Sequence, residues 1–260
     1  MDFDAIDFPA ANNDFLAAAG NRRYFSADDG VHGGELWVSD GTTAGTRLVR
    51  DIWPGIEPKE GIFRQSGKKQ HAVLGDRVLF GANDGVNGRE LWVSDGTAEG
   101  TFLLNDFGTG PDAWGQPRYL TAVGGRVFYS ARMSDEELWV SDGTAGGTML
   151  VRDINPDRPS YPVAFKAMGD RVLFSADDGT NGRELWVSDG TLLGTRLVMD
   201  IAPGVSPSDP DPAGGAIAGA AGRVLFAAAD AAGGRELWAS DGTAAGTEIL
   251  RDIVPGPSGS

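Results

Sequence analysis

The sequence predicts an all-β chain: a single five-bladed β-propeller with four antiparallel strands in each blade. Three observations carry that expectation. The octet Glu-Leu-Trp-Val-Ser-Asp-Gly-Thr stands at 35–42, 90–97, 137–144 and 184–191, and a fifth copy at 236–243 differs only by alanine for valine. The motif tryptophans Trp37, Trp92, Trp139, Trp186 and Trp238 lie 55, 47, 47 and 52 residues apart, so a period near 50 divides the 260 residues into five units. Each unit is written as short β-branched and aromatic runs between glycine- and aspartate-rich turns, with no sustained helical period of apolar residues.

The fourth unit gives the elements in order. Residues 165–168 read as a first strand, closed by the Gly169-Asp170 turn, and 171–176 as a second. A glycine-rich loop at 177–182 leads to a third strand at 184–188, a corner at 189–194 turns the chain back, and 195–201 is the fourth. Four such strands per unit, packed on neighbours through both faces, describe a propeller blade, and radial closure shields the sheet edges. A parallel β-helix is the alternative, but its rungs are shorter and need no tight hairpins. The blades are expected at about 11–53, 70–107, 118–155, 163–202 and 215–254 of one domain spanning 1–260. Residues 1–10 echo the end of a repeat and can add an extra edge strand.

The run Glu-Leu-Trp-x-x-Asp-Gly-Thr-x-x-Gly-Thr, followed by a Val-x-Asp-Ile-x-Pro-Gly tail, resembles the bacterial ELWxxDGT repeat family over essentially the whole chain. The resemblance implies large, repetitive surface or secreted proteins, and it supplies no catalytic residue. The Asp-Gly-Thr corner resembles the Asp-box of sialidase-type propellers, and five-bladed lectins of the tachylectin type are similar in repeat length.

Composition narrows the function classes. There is no cysteine, hence no disulfide, thiolate metal site or thiol nucleophile. The net charge of −15 comes mostly from 27 aspartates and repels phosphate backbones, so nucleic acid is not an expected partner. No apolar run approaches membrane-spanning length, so no membrane insertion is expected. The expected location is extracellular or at the cell surface, with the signal absent from the residues given; a cytoplasmic location stays open. A monomer is expected.

Residues repeated in every unit serve the scaffold or a five-fold site, whereas a single site would break the repetition. Each Asp-Gly-Thr corner reads as a turn. The motif tryptophan reads as a wedge between blades. The glutamate before it (Glu35, Glu90, Glu137, Glu184, Glu236), once buried, needs a partner, either the backbone or the arginine opening each second strand (Arg22, Arg77, Arg126, Arg171, Arg223). Calcium in the Asp-Asp-Gly loops is the sharper alternative, although their spacing does not match the usual calcium loop. No other cofactor is expected. His32 and His71 lie in different contexts, so zinc is unsupported.

Strand alternation puts the second-to-third loop and the inter-blade connection on one variable face, where function usually resides. The candidate ligand-binding residues on it are Trp53, Trp114, Tyr161, His32, Arg64, Lys68, Lys69 and Arg132, concentrated near blades 1 to 3. No catalytic or metal residue is assigned. These features point to a non-enzymatic binding or display module for a glycan or a protein. The alternatives are a glycosidase-like five-bladed enzyme with carboxylates around a central channel and a structural, calcium-stabilised adhesion repeat.

Overall fold

A computed structural model of the chain describes residues 15–54, 70–108, 115–213, 222–230 and 234–251. These residues form strands and turns without an α-helix, and no helix among them is long and apolar enough to cross a membrane. The first sheet contains β1 (Phe15–Ala19), β2 (Arg22–Asp28), β3 (Gly34–Ser39) and β4 (Arg47–Arg50). The second contains β5 (His71–Leu74), β6 (Arg77–Asn83), β7 (Arg89–Ser94) and β8 (Phe102–Asn105). The third runs through β9 (Arg118–Val123), β10 (Arg126–Arg132), β11 (Glu136–Ser141) and β12 (Met149–Arg152). The fourth runs through β13 (Val163–Met168), β14 (Arg171–Asp177), β15 (Arg183–Ser188) and β16 (Arg196–Met199). The fifth has β17 (Val224–Ala229), β18 (Arg235–Ser240) and β19 (Glu248–Arg251), with an isolated Asp211↔Ala227 bridge on the free edge of β17. Each sheet is an antiparallel meander in sequence order, which makes this a β-propeller-like repeat fold. The expected edge strand at 1–10 lies outside the described residues.

The repeated letters explain the repeated geometry. In the fourth sheet Asp189 Oδ1 accepts the N–H (2.9 Å) and the hydroxyl (2.7 Å) of Thr191. Thr191 Oγ1 then accepts the Gly194 N–H at 3.0 Å, and the Thr195 hydroxyl donates to the Thr191 carbonyl at 2.7 Å. The corners at Asp40, Asp95, Asp142 and Asp241 repeat these bonds. A Cβ on Gly194 would lie 2.0 Å from Asp189 Oδ1, so the second glycine of the motif is as obligatory as the first. Past the corner, the pairing of third and fourth strands slips by one residue at each Leu-Trp step. The skipped Val49, Leu104, Val151 and Val198 are thereby turned into the core.

The tryptophan wedges as expected. Trp92 joins an apolar cluster with Ala17, Tyr24, Leu36 and Val38 of the first sheet, and Trp238 joins one with Leu173, Leu185 and Val187 of the fourth. Trp37, in the first sheet, is only half-buried and stacks on Phe25.

Glu35, Glu90, Glu137 and Glu184 bond to the chain that leaves the fourth strand and not to the motif arginines. In the first three sheets the arginine opening the second strand reaches a carbonyl in the next sheet's corner: Arg22 to Asp95, Arg77 to Gly143 at 3.1 Å, and Arg126 to Asp189 at 2.9 Å. Arg171 instead lies 3.8 Å from its neighbour Asp170. Arg223 stays in its own sheet, on the Gly246 carbonyl and Glu248. The glutamate instead takes backbone donors, because a carboxylate at that depth can be matched locally by the N–H groups of the chain leaving the fourth strand.

By contact density the chain divides into two compact units, Met1–Leu120 with Asp142–Thr148, and Thr121–Ser141 with Met149–Ser260. The core of each is the apolar interior between its consecutive sheets.

Candidate functional site

A buried carboxylate holds the start of each of four connections between successive sheets, and in three of them, at Glu90, Glu137 and Glu184, it holds the far end as well. Glu137 accepts the N–H of Ile154 at 3.1 Å, where the connection begins, and the N–H and hydroxyl of Ser160 at 2.8 and 2.6 Å, where it ends. Glu184 does the same with Ile201 (3.0 Å) and with Ser208, at 3.1 Å through its N–H and 2.5 Å through its hydroxyl. Glu90 accepts the N–H groups of Phe107 and Gly115 at 3.2 and 3.3 Å, and Glu35 those of Ile52 and Trp53 at 3.0 and 2.9 Å. Burial pushes the carboxyls of Glu35 and Glu90 up to about 7 and about 8, and it raises Glu137 and Glu184 as well.

A second set of carboxylates holds the loop between second and third strands. Asp178 accepts the N–H groups of Thr180 and Asn181 at 2.9 and 2.8 Å and the Asn181 amide at 2.8 Å. Asp84 holds Val86 and Asn87 in the same way. In the first sheet His32 takes the place of that asparagine, and its Nδ1–H donates to Asp29 at 2.7 Å. His32 is therefore a loop cap. The Asp29 carboxylate raises its pKa, while the His32 backbone and ring hold Asp29 down at about 2.

Between a connection and the loop beside it, the second unit holds a cavity of about 340 Å³. Asn155, Arg158, Pro159 and Tyr161 line it from the connection, Asp177, Gly179 and Gly182 from the fourth sheet's loop, and Val205 from the next connection. Its walls come close because two glycines have no side chain. A Cβ on Gly179 would lie 3.0 Å from the Asn155 amide, and one on Gly182, at φ +72°, 2.9 Å from the Val205 carbonyl. Asn155 is buried, Asp177 is half-buried with its Oδ1 on the Gly179 N–H at 2.7 Å, and Tyr161 and Arg158 stand exposed. The lining thus offers an aromatic face, an amide, a carboxylate and a guanidinium around one small concavity. No group of three or more histidine, aspartate or glutamate side chains placed to hold a metal occurs among the described residues.

The expected site residues meet different fates. Tyr161 lines the cavity. Trp53 follows the Asp-Ile pair, as Asn155 does in its own connection, and the two take equivalent stations. The Trp53 indole lies over Gly85, 2.6 Å from where its Cβ would be, and packs against the first apolar cluster. An indole therefore fills in one connection the space that an asparagine leaves open in another. Arg132 ends β10 exposed and cross-strand from Glu136. Trp114, Arg64, Lys68 and Lys69 lie outside the described residues. Of the described ones, Tyr161 alone lines that cavity. Sequence reading passed over Asn155, Arg158, Asp177 and Val205; the one signal for them was the asparagine standing where the first repeat carries tryptophan.

No family model matches the chain, nor does any curated protein, so the resemblance to the ELWxxDGT repeats rests on the motif itself. Solved structures to which it is similar include the computationally designed Ika8 protein, at 22% identity over 92% of this chain and 60% of that one, with a TM-score of 0.47. Puromycin hydrolase is similar at 14% identity over 93% of this chain and 39% of that one, TM-score 0.48. TolB from Acinetobacter baumannii is similar at 12% identity over 90% and 53%, TM-score 0.42. The chain spans less than two thirds of the length of each.

Proposed function

We propose that the five sheets are the blades of a single five-bladed β-propeller acting as a non-enzymatic binding module, outside the cell or on its surface, with a glycan as its ligand on the variable-loop face. The observation that carries this reading is the cavity at Asn155. Its volume of about 340 Å³ falls at the small end of the roughly 300–1,000 Å³ typical of small-ligand pockets. An exposed tyrosine beside amide, carboxylate and guanidinium groups suits a ring with an apolar face and hydroxyl edges. A folded protein partner would instead need a far larger surface than this concavity supplies.

The test is Asn155→Trp. An indole already sits at the equivalent station as Trp53, so the variant is expected to fold with an unchanged urea midpoint while its cavity is filled. Ligands found for the wild type on a glycan array should then be lost. Retained binding would place the site elsewhere, and release of free sugar from a bound glycan would refute the non-enzymatic reading.

A further inference from the structure

Tyr161 has a counterpart in neighbouring connections. Gln116, Tyr161 and Asp209 occupy the same station, each shortly before the first strand or bridge of its sheet, and each has a positive φ, +42°, +47° and +44°. The scaffold imposes that conformation from both sides. The N–H groups of Gln116, Tyr161 and Asp209 donate to the carbonyls of Arg89, Glu136 and Arg183 at 3.0, 3.2 and 3.3 Å. The carbonyls of Tyr161 and Asp209 accept the guanidinium of the arginine before the motif glutamate of their own sheet, Arg183 at 2.8 Å and Arg235 at 3.0 Å. Main chain is thus held the same way whichever side chain stands there, and the side chains differ. A tyrosine is unfavourable in left-handed backbone, and this one leaves 49% of its surface exposed, so it adds little to the core.

Arg158 differs from many arginines of the repeat. Several of those are engaged with carbonyls: Arg50 with Thr101, Arg152 with Thr195, Arg126 with Asp189. The Arg158 guanidinium lines the cavity with no hydrogen bond or ion pair among the described residues. A neutral sugar's hydroxyls can accept from a guanidinium but leave its full charge unmatched. A planar fork of N–H donors matches a carboxylate through two parallel bonds.

We infer that the cavity takes an acidic sugar, a pyranose bearing a carboxylate, with Arg158 on the carboxylate, Tyr161 against the ring's apolar face, and Asn155 and Asp177 on its hydroxyls. This rests on the glycan reading above. The ligand's carboxylate is directed to Arg158, because the acidic Asp177 in the same lining disfavours a second acid beside it. The chain's net charge of −15 opposes any anion at long range. Screening over about 8 Å at physiological salt leaves the nearest cation decisive.

The experiment is titration calorimetry of the full chain with D-glucuronic and D-galacturonic acid, against glucose and galactose as neutral counterparts. The expected result is at least ten-fold tighter binding of the uronates, weakening as salt rises. Arg158→Gln, a change at an exposed side chain, should abolish the preference, lowering uronate affinity at least ten-fold more than it lowers neutral-sugar affinity. Tyr161→Gly should weaken every sugar without lowering the urea midpoint, since glycine accepts the backbone that tyrosine strains. Equal affinity for acid and neutral sugars, or uronate binding untouched by Arg158→Gln, overturns the acidic-sugar inference and leaves the glycan reading standing. Absence of binding by all four sugars, with no glycan bound on an array, overturns both.

Discussion

Ser160 is bonded twice to Glu137, its N–H at 2.8 Å and its hydroxyl at 2.6 Å, and both atoms of the pair are buried. Because Ile154 N–H meets the same carboxylate, one side chain pins both ends of the connection that carries Asn155, Arg158 and Tyr161. Ser160→Ala leaves a buried acceptor without its hydroxyl donor and should cost about 1–3 kcal/mol. Glu137→Ala leaves two buried N–H groups without an acceptor, at ~1–3 kcal/mol each, and should be the worse of the two. Urea denaturation of both variants gives the comparison; equal losses would mean that Glu137 is not a staple.

Stability should depend on pH from both sides. The corner aspartates, such as Asp189, are held below the ordinary carboxylate range by the Thr191 hydroxyl and N–H, so their contribution is present above the unfolded value of 3.8 and is lost as pH falls through the folded one. The motif glutamates are shifted the other way by burial. Their contribution is present below the unfolded value of 4.5 and is lost as pH rises through about 7 for Glu35 and about 8 for Glu90. Thermal melts should therefore give the highest Tm in mildly acidic buffer and a falling Tm from pH 5 to 8. Glu90→Gln should flatten the alkaline limb.

The motif tryptophans should matter more than the loop tryptophan. Trp186 is 4% exposed, and Trp186→Ala should cost about 3–5 kcal/mol, the range for large core truncations. Trp53 is half-buried over a loop, and its alanine variant should cost less, on the order of 1–2 kcal/mol. Chemical denaturation of the two variants in parallel decides it.

Calcium should not stabilise the protein. The loop aspartates already have partners, as Asp84 does in Val86 N–H, Asn87 N–H and the Asn87 amide. A native-state calcium site would add about 2.7 kcal/mol at a hundred-fold excess over its Kd. The expected Tm is the same with calcium as with chelator, and a calcium-dependent rise would reverse this reading of the loops.

Much of the scaffold was legible in the residues because it is local. Strand periodicity, the Asp-Gly-Thr corner and the loop aspartates all act within a few positions, so the fourth-unit strands expected at 171–176 and 184–188 appear as β14 and β15 with one residue added. The fate of the motif glutamate was half legible. Burial demanded a partner, but only the folded chain showed that the partner is the connection's backbone, while in the first three sheets the arginine reaches the next sheet.

The site was least legible, since it depends on what a side chain leaves empty. Trp53 looked like a ligand platform by residue type, yet tertiary packing lays it over Gly85. Asn155 looked unremarkable, yet beside Gly179 it leaves the concavity that Tyr161 and Arg158 border. Sequence by itself determined the repeat, its strands and its turns, because backbone hydrogen bonding and side-chain period act at short range. Only the tertiary structure decided where the cavity lies and that Arg158 borders it without a partner among the described residues. Those are properties of volumes and contacts between segments distant in the chain, and no local pattern of letters encodes them.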